Sequence, residues 1–211
     1  MSFSKRMSRI KPSGIRAVQK RIAGKSDMIS FAAGLPDPAL YMLEKEGATA
    51  FAYGLTKGYG PLLDYLTDRM NNREHVECTK ENICILSGSQ QGLGLAAMTF
   101  LDEGDVVITE NPSYLGAINA FRPYGAEFVG VDTDDDGIVI EDLERALEEN
   151  PKTKLIYVIP NFQNPTGKAW TLERRERFME VVAKYDVAVV EDNPYGDLRF
   201  KGEPLPHLRA L

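Results

Sequence analysis

The sequence predicts an α/β protein of three layers, in which helices cover both faces of a mainly parallel sheet. Two observations predict this class. From about residue 83 onward, short runs of β-branched and apolar residues alternate with stretches of helical periodicity. The run 155–159 is almost continuously apolar, which is typical of a strand buried on both faces. Repeated β-α units of this kind form parallel sheets with helices on either side.

The predicted elements alternate in order along the chain. The predicted strands are Ile83–Leu86, Val106–Thr109, Phe128–Val131, Leu155–Ile159 and Val187–Glu191. The predicted helices are Gln91–Phe100, Tyr114–Phe121, Ile140–Leu147 and Leu172–Tyr185. We find no internal repeat and no low-complexity linker.

Composition sets the broad class. The 211 residues are 43% hydrophobic and 27% charged, which is enough for a domain with its own core. No apolar run approaches the roughly 20 residues that cross a bilayer, and the start lacks the apolar core of a secretory signal. We therefore expect a cytoplasmic protein that does not enter a membrane. Two cysteines and two histidines do not provide the ligands of a zinc site or a disulfide framework.

Charge is distributed unevenly. Eight basic residues and no acid occur up to Lys25. Such a start could be an organelle transit peptide or an arm that binds nucleic acid, but Ser13–Arg16 after Pro12 also predicts a short capped helix that packs on a domain. The acidic remainder argues against a nucleic-acid partner, because a phosphate backbone requires concentrated positive charge.

One acidic segment resembles a calcium loop. Asp132–Gly137 has acids at positions 1, 3 and 5 and glycine at position 6. Position 12 is Leu143, where a bidentate Glu is required, so an acidic turn between a strand and a helix is the better interpretation.

Polar loops follow most of the predicted strands, and open α/β sheets bind ligands at the carboxyl ends of their strands. Ser87–Gln91 follows the first predicted strand and opens a helix. Small residues, hydroxyls and free backbone N–H groups at a helix start suit a phosphate, although a Ser-Gly turn that caps a helix is an ordinary feature.

Three further loops suit a planar, charged ring. Asn111–Tyr114 places an aromatic residue at a strand end, and Asn164–Gly167 sets an amide beside a rigid turn. Asp192 ends an apolar strand, where a carboxylate is costly without a positive partner such as a protonated pyridine nitrogen. Packing, turn or capping roles would explain each residue alone. Their common location on one rim of the sheet favours a ligand site.

Together these motifs resemble the fold type I pyridoxal phosphate (PLP)-dependent aminotransferases. The resemblance is to the branch with aminoadipate, kynurenine and aromatic aminotransferases and with the aminotransferase-like half of certain bacterial regulators. It covers nearly the whole chain. Its marks are Lys11–Arg16, Ile29–Pro38, Tyr53–Gly60, Ser87–Gln91, Asn111–Tyr114, Asn161–Gly167 and Glu191–Tyr195.

The resemblance implies roles for individual residues. Ser89 and Gln90 would hold the phosphate of PLP, and Tyr114 would stack on the pyridine ring. Asp192 would pair with the ring nitrogen and keep it protonated, so that the ring can accept electrons.

The resemblance also implies contacts beyond the ring. Asn164 and Tyr195 would donate hydrogen bonds to the phenolic oxygen of PLP. Tyr53 looks like the tyrosine that reaches the phosphate in the neighbouring subunit, which implies a homodimer. Gly34 resembles the backbone position near the substrate carboxylate, and Asn164 would also lie at the substrate.

Two departures from the family pattern affect these expectations. No Ser-x-Ser-Lys-like segment follows Asp192, and the one later lysine, Lys201, lies in a predicted turn. Lys168 is better explained as a solvated residue near a helix start. We therefore expect a chain truncated before the Schiff-base lysine, with no catalytic residue of its own. The segment between Pro38 and Tyr53 also looks one helix short.

The expected organisation is an N-terminal arm or short helix over residues 1–33 and an incomplete PLP-binding large domain over 34–211. The expected function is that of an aminotransferase of α-amino acids and 2-oxo acids, inactive alone. One alternative is a non-catalytic module that binds PLP or a partner chain, and another is a PLP-dependent lyase, because fold does not determine chemistry.

Overall fold

The computed structural model of the chain describes residues 56–211. Several expectations concern residues outside this range: the arm over 1–33, the domain boundary at 34, Gly34 and Tyr53.

The described part of the chain contains five strands and five α-helices. The strands are β1 (Val106–Asn111), β2 (Glu127–Asp134), β3 (Gly137–Ile138), β4 (Thr153–Val158) and β5 (Ala188–Glu191). The helices are α1 (Gly60–Asn72), α2 (Ser89–Phe100), α3 (Leu115–Phe121), α4 (Ile140–Glu149) and α5 (Leu172–Val182). Short 3-10 turns include Lys80–Asn82, Arg122–Tyr124, Gly196–Leu198 and Leu208–Ala210.

The strands form one sheet in the order β3-β2-β1-β4-β5. β1 pairs in parallel with β2 and β4, and β4 pairs in parallel with β5. Only the two-residue β3 is antiparallel to its neighbour among these strands. The carboxyl ends of β1, β4 and β5 therefore lie at one edge of the sheet, and the predicted parallel sheet is confirmed.

Alternate residues of the strands point into two separate apolar cores. Ile108 and Ile156 lie in the cluster that α4 and α5 cover, with Phe178 of α5 fully buried. Val107 and Leu155 lie in the second cluster, which α2 and α3 cover. Each such fully buried side chain stabilises the fold by roughly 1.5–3 kcal/mol relative to exposure. The predicted three-layer α/β/α class is thus confirmed.

The first predicted strand is wrong. Ile83–Leu86 is not a strand, and its residues are exposed or half-exposed. A 2.7 Å backbone bond from Ile85 N to Lys57 O joins it to the segment before α1, where the Ile85 side chain also lies against Gly58. An apolar run forms a buried strand only where neighbouring strands and covering layers exist, and within residues 56–211 this run lies beside no strand of the sheet.

The other predicted strands and helices match the structure to within three residues at each end. Neither α1 nor β3 is predicted by the sequence pattern. Between Thr56 and Leu211, no helix is both long and apolar enough to cross a membrane.

Candidate functional site

The polar loops predicted to form a site do converge at the carboxyl edge of the sheet. Tyr114 follows β1, Asn164 lies in the loop after β4, and Asp192 and Tyr195 follow β5. The parallel register of these three adjacent strands places the loops side by side.

Asp192 is held at the end of β5 by its neighbour β4. Its backbone N–H donates to Val158 O at 2.9 Å, which extends the β4-β5 ladder by one bond. Its side-chain Oδ2 accepts a 2.7 Å hydrogen bond from the hydroxyl of Tyr157, which is fully buried in β4. Burial raises the pKa of Asp192, and the bond from Tyr157 partly opposes that rise. Within residues 56–211, no basic side chain forms an ion pair with this carboxylate.

Asn164 and Tyr195 come together from different loops. Nδ2 of Asn164 donates to the hydroxyl oxygen of Tyr195 at 3.3 Å. The second N–H of the amide and the hydroxyl proton remain able to donate, so the two side chains form a paired donor suited to one acceptor oxygen.

The ring of Tyr114 lies against Gly116 at the start of α3. A Cβ on Gly116 would lie 2.3 Å from Cζ of Tyr114, so the ring occupies the space that a side chain would take. Burial raises the pKa of Tyr114, and the nearby Tyr195 and Asp192 raise it further. Tyr114 therefore lies in the electrostatic range of both residues that follow β5.

The start of α2 connects to the same area. Nε2 of Gln90 donates to Gly116 O at 3.0 Å, which joins the first turn of α2 to the first turn of α3. Ser89 and Gln90 are exposed, and the capping residue, Gly88, has no side chain that could bond to the first N–H groups of the helix. The N–H of Gln91 bonds to Gly88 O at 3.1 Å, and within residues 56–211 the N–H groups of Ser89 and Gln90 remain as donors at the start of α2.

The sequence pattern did not reveal Arg175, described below, or two buried polar residues within the strands at this edge. One is Tyr157, a hydroxyl within an apolar strand. The other is Glu110, almost fully buried at the end of β1, whose carboxylate accepts from Ile159 N and from Nε1 of Trp170, both at 2.9 Å. Desolvation raises the pKa of Glu110 to about 7 against the effect of these donors. Its signal in the sequence was the one used for Asp192, an acid at the end of an apolar strand.

The acidic segment Asp132–Gly137 and Lys168 form ion pairs at the surface. Asp134 pairs with Arg174 at 2.8 Å, and the ammonium of Lys168 pairs with Asp135 at 3.0 Å. Within the described range, no group of three or more potential metal ligands occurs. Asp132 and Asp134 lie at the end of β2 and Gly137 begins β3, so the acidic turn joins two strands and not, as expected, a strand and a helix. Lys201 is exposed.

Comparison with known proteins gives consistent results. The family described as "Aminotransferase class I and II" matches residues 25–210. The aromatic-amino-acid aminotransferase 1 of Thermococcus litoralis is 40% identical over 223 residues, which is 99% of this chain and 53% of that protein. The chain thus spans about half the length of the curated relatives that it matches.

Two solved structures extend the comparison. The kynurenine aminotransferase of Pyrococcus horikoshii, solved in complex with PMP, has a TM-score of 0.87 and 37% identity, and the match covers 99% of this chain and 55% of that one. The alpha-aminoadipate aminotransferase of Thermus thermophilus, complexed with N-(5'-phosphopyridoxyl)-L-leucine, has a TM-score of 0.83 and 37% identity. Its match covers 98% of this chain and 52% of that one.

Proposed function

Because the chain belongs to the aminotransferase class I and II family, we propose that it forms the PLP-binding part of an aminotransferase of α-amino acids and 2-oxo acids. The proposed cofactor residues among the described ones are Ser89, Gln90, Tyr114, Asn164, Asp192 and Tyr195.

The observation that carries this proposal is the environment of Asp192. Its carboxylate is partly buried, it accepts one neutral hydrogen bond from Tyr157, and burial raises its pKa. A carboxylate in such a place is stabilised by a positive partner that also donates a hydrogen bond. The protonated pyridine nitrogen of PLP is such a partner, and the acid would keep that nitrogen protonated.

The remaining residues also fit the cofactor. The paired donors of Asn164 and Tyr195 suit its phenolic oxygen, and the start of α2 suits its phosphate. The side-chain amide of Gln90 is bonded to Gly116 O, so its backbone N–H is the better donor to the phosphate.

When bound, PLP supplies a ring that accepts the electrons released at the substrate Cα. The residues of this chain would hold that ring. Asp192 would hold the nitrogen, Tyr114 would cover one face, and Asn164 with Tyr195 would hold the phenolic oxygen. We assign no Schiff-base lysine, because Lys168 is paired with Asp135 and Lys201 is exposed.

The named relatives are aminotransferases, so neither the lyase nor the non-catalytic module is favoured. A homodimer with shared sites, in which Tyr53 reaches the neighbouring phosphate, stays a prediction. So do the contacts of Gly34 and Asn164 with the substrate, the domain boundary at residue 34, and the cytoplasmic location.

Titration of the chain with PLP tests the proposal, with absorbance and protein fluorescence as readouts. We expect saturable binding that is at least about 10-fold weaker in Asp192→Ala, because the ring nitrogen loses its charged partner. Asp186→Ala is the matched control, since Asp186 is an exposed aspartate near the amino end of the same strand. Equal PLP affinity in wild type and Asp192→Ala, or no binding by wild type, would contradict the proposed site.

A further inference from the structure

Arg175 is completely buried near the start of α5. Its guanidinium donates to Pro160 O at 3.0 Å, to Oδ1 of Asn161 at 2.8 Å and to Pro206 O at 2.8 Å. A longer bond of 3.4 Å joins Nε to Trp170 O. Within the described part of the chain no carboxylate forms an ion pair with it, and desolvation lowers its pKa to about 10.

A buried guanidinium with neutral partners is a costly choice at this position. An apolar side chain would avoid the desolvation of the charge. The guanidinium instead holds several oxygens in fixed relative positions, because its planar group donates several hydrogen bonds at once. Here it joins the loop after β4, the start of α5 and the segment before the last 3-10 turn.

The bond from Arg175 orients the Asn161 amide, together with a longer 3.4 Å bond from Nη2 of Arg199 to the same oxygen. Arginine only donates, so it must face the carbonyl oxygen of the amide. The amide nitrogen is thereby directed to the loop after β5, where it donates to Oδ1 of Asn193 at 3.0 Å. Asn161 is itself 5% exposed, so water has little access to replace either partner.

The side chain of Asn193 is also restricted from the other side. A Cβ on Gly196 would lie 2.5 Å from Oδ1 of Asn193, so the asparagine fills the space above this glycine. Asn193 lies directly after Asp192 and two residues before Tyr195. The bond from Asn161 to Asn193 therefore joins the two loops that carry Asn164 on one side and Asp192 and Tyr195 on the other.

We propose that Arg175 is a positioning residue for the cofactor site, which acts through Asn161 and Asn193 to set the loop after β4 against the loop after β5. The 3.3 Å contact between Asn164 and Tyr195 is the product of that arrangement. This inference rests on the proposed function, because it assigns a purpose to the spacing of residues that would hold PLP.

A double-mutant cycle on PLP affinity tests the inference. Arg175→Lys keeps the charge but loses the fork, and Asn161→Ala removes the link to Asn193. We expect each to weaken PLP binding by about 10-fold, and the double variant to bind about as weakly as Asn161→Ala alone. Arg177→Lys is the control, since Arg177 lies on the same helix, is exposed and pairs with Glu141. Independent, multiplying losses would overturn the inference.

The absorption spectrum of bound PLP supplies a readout that a general loss of stability does not move. Displacement of Asn164 and Tyr195 changes the hydrogen bonds to the phenolic oxygen and should shift the band in Arg175→Lys, Asn161→Ala and Asn193→Ala alike. Asn193→Ala changes a half-buried loop residue and so keeps the test available if Arg175→Lys fails to fold. A wild-type spectrum in Asn161→Ala and Asn193→Ala would overturn the inference.

Hydrogen exchange in the chain without PLP separates the two proposals. Arg175→Lys should speed exchange in residues 161–167 and 192–196 and leave the middle of α5 unchanged, whether or not PLP binds. Faster exchange together with no PLP binding by wild type would support the positioning role and reject the cofactor site. Unchanged exchange in both loops would reject the positioning role by itself.

Discussion

The hydroxyl of Tyr157 donates a 2.7 Å hydrogen bond to Oδ2 of Asp192, across 35 residues of sequence. The two residues meet because β4 and β5 are parallel neighbours whose last paired residues are Val158 and Glu191. The same bond stabilises the ionised form of the carboxylate and so opposes the rise in the pKa of Asp192 that burial causes.

Tyr157→Phe should therefore raise the pKa of Asp192 further above its ordinary value, because the change removes the donor that lowers it. Carbon NMR of labelled aspartate side chains over a pH series measures the titration, and Asp192→Asn identifies the resonance. Tyr65→Phe is the control, since the Tyr65 side chain is exposed. A titration midpoint of Asp192 that stays at the wild-type pH in Tyr157→Phe would show that the bond has no effect on the acid.

Gly116→Ala should displace the ring of Tyr114 and weaken PLP binding, at little cost in stability. The added Cβ would lie 2.3–2.5 Å from Cζ, Cε1 and the hydroxyl oxygen of Tyr114, and a side chain moves more easily than backbone. PLP titration and thermal unfolding measure the two effects. The matched control is Gly94→Ala in the middle of α2, where a Cβ meets nothing within 4 Å. It should stabilise the protein by about 0.5–1 kcal/mol and leave PLP affinity unchanged. If Gly116→Ala binds PLP with the affinity of wild type, the ring of Tyr114 does not cover the pyridine ring of PLP.

His207 should make stability depend on pH. Its Nδ1 lies 3.1 Å from Glu191 and its Nε2 3.3 Å from Glu74. The hydrogen bond with Glu191 is the largest cause that raises its pKa above 6.5. A raised folded pKa means that the stabilisation is fully present below about pH 6.5 and is lost as pH rises through the folded pKa.

His207→Gln should accordingly make the free energy of unfolding depend less on pH above about pH 6.5. The loss of stability should be largest below about pH 6.5, where wild type has the full stabilisation. Urea unfolding from about pH 5.5 to about pH 9 measures the profile. His75→Asn is the control: His75 is exposed and has φ +54°, a conformation that asparagine tolerates. The chain has no other histidine. A variant profile parallel to that of wild type would rule out this role for His207.

Phe178→Ala should be one of the more destabilising substitutions in the core. Phe178 is fully buried and packs edge to face on Trp170, with ring centroids 5.1 Å apart. Loss of such a ring leaves a cavity and costs about 3–5 kcal/mol. Denaturant unfolding measures the loss, with Leu172→Ala on the same helix as control because Leu172 is 40% exposed. A loss as small as that of the control would mean that α5 packs differently.

Local patterns were sufficient for most of the described fold. The periodicity of 140–147 and 172–185 predicted α4 and α5, and the apolar runs at 106–109 and 155–159 predicted the strands β1 and β4. The spacing of apolar residues shows which face of an element is buried, so it identifies helices and strands that pack against another layer. It failed at Ile83–Leu86, where the run is apolar but no strand of the described sheet pairs with it. It also missed β3, because two residues are too short to show a period.

Some features of the candidate site could also be predicted from the sequence, and others could not. The sequence by itself determined the fold class, the family and the loops that carry Tyr114, Asn164 and Asp192, because these depend on local order along the chain. The tertiary structure alone decided which buried polar groups meet: Tyr157 with Asp192, and Arg175 with Asn161. A buried donor or acceptor must find a partner wherever the fold places one, so its partner depends on strand order and loop packing rather than on neighbouring sequence.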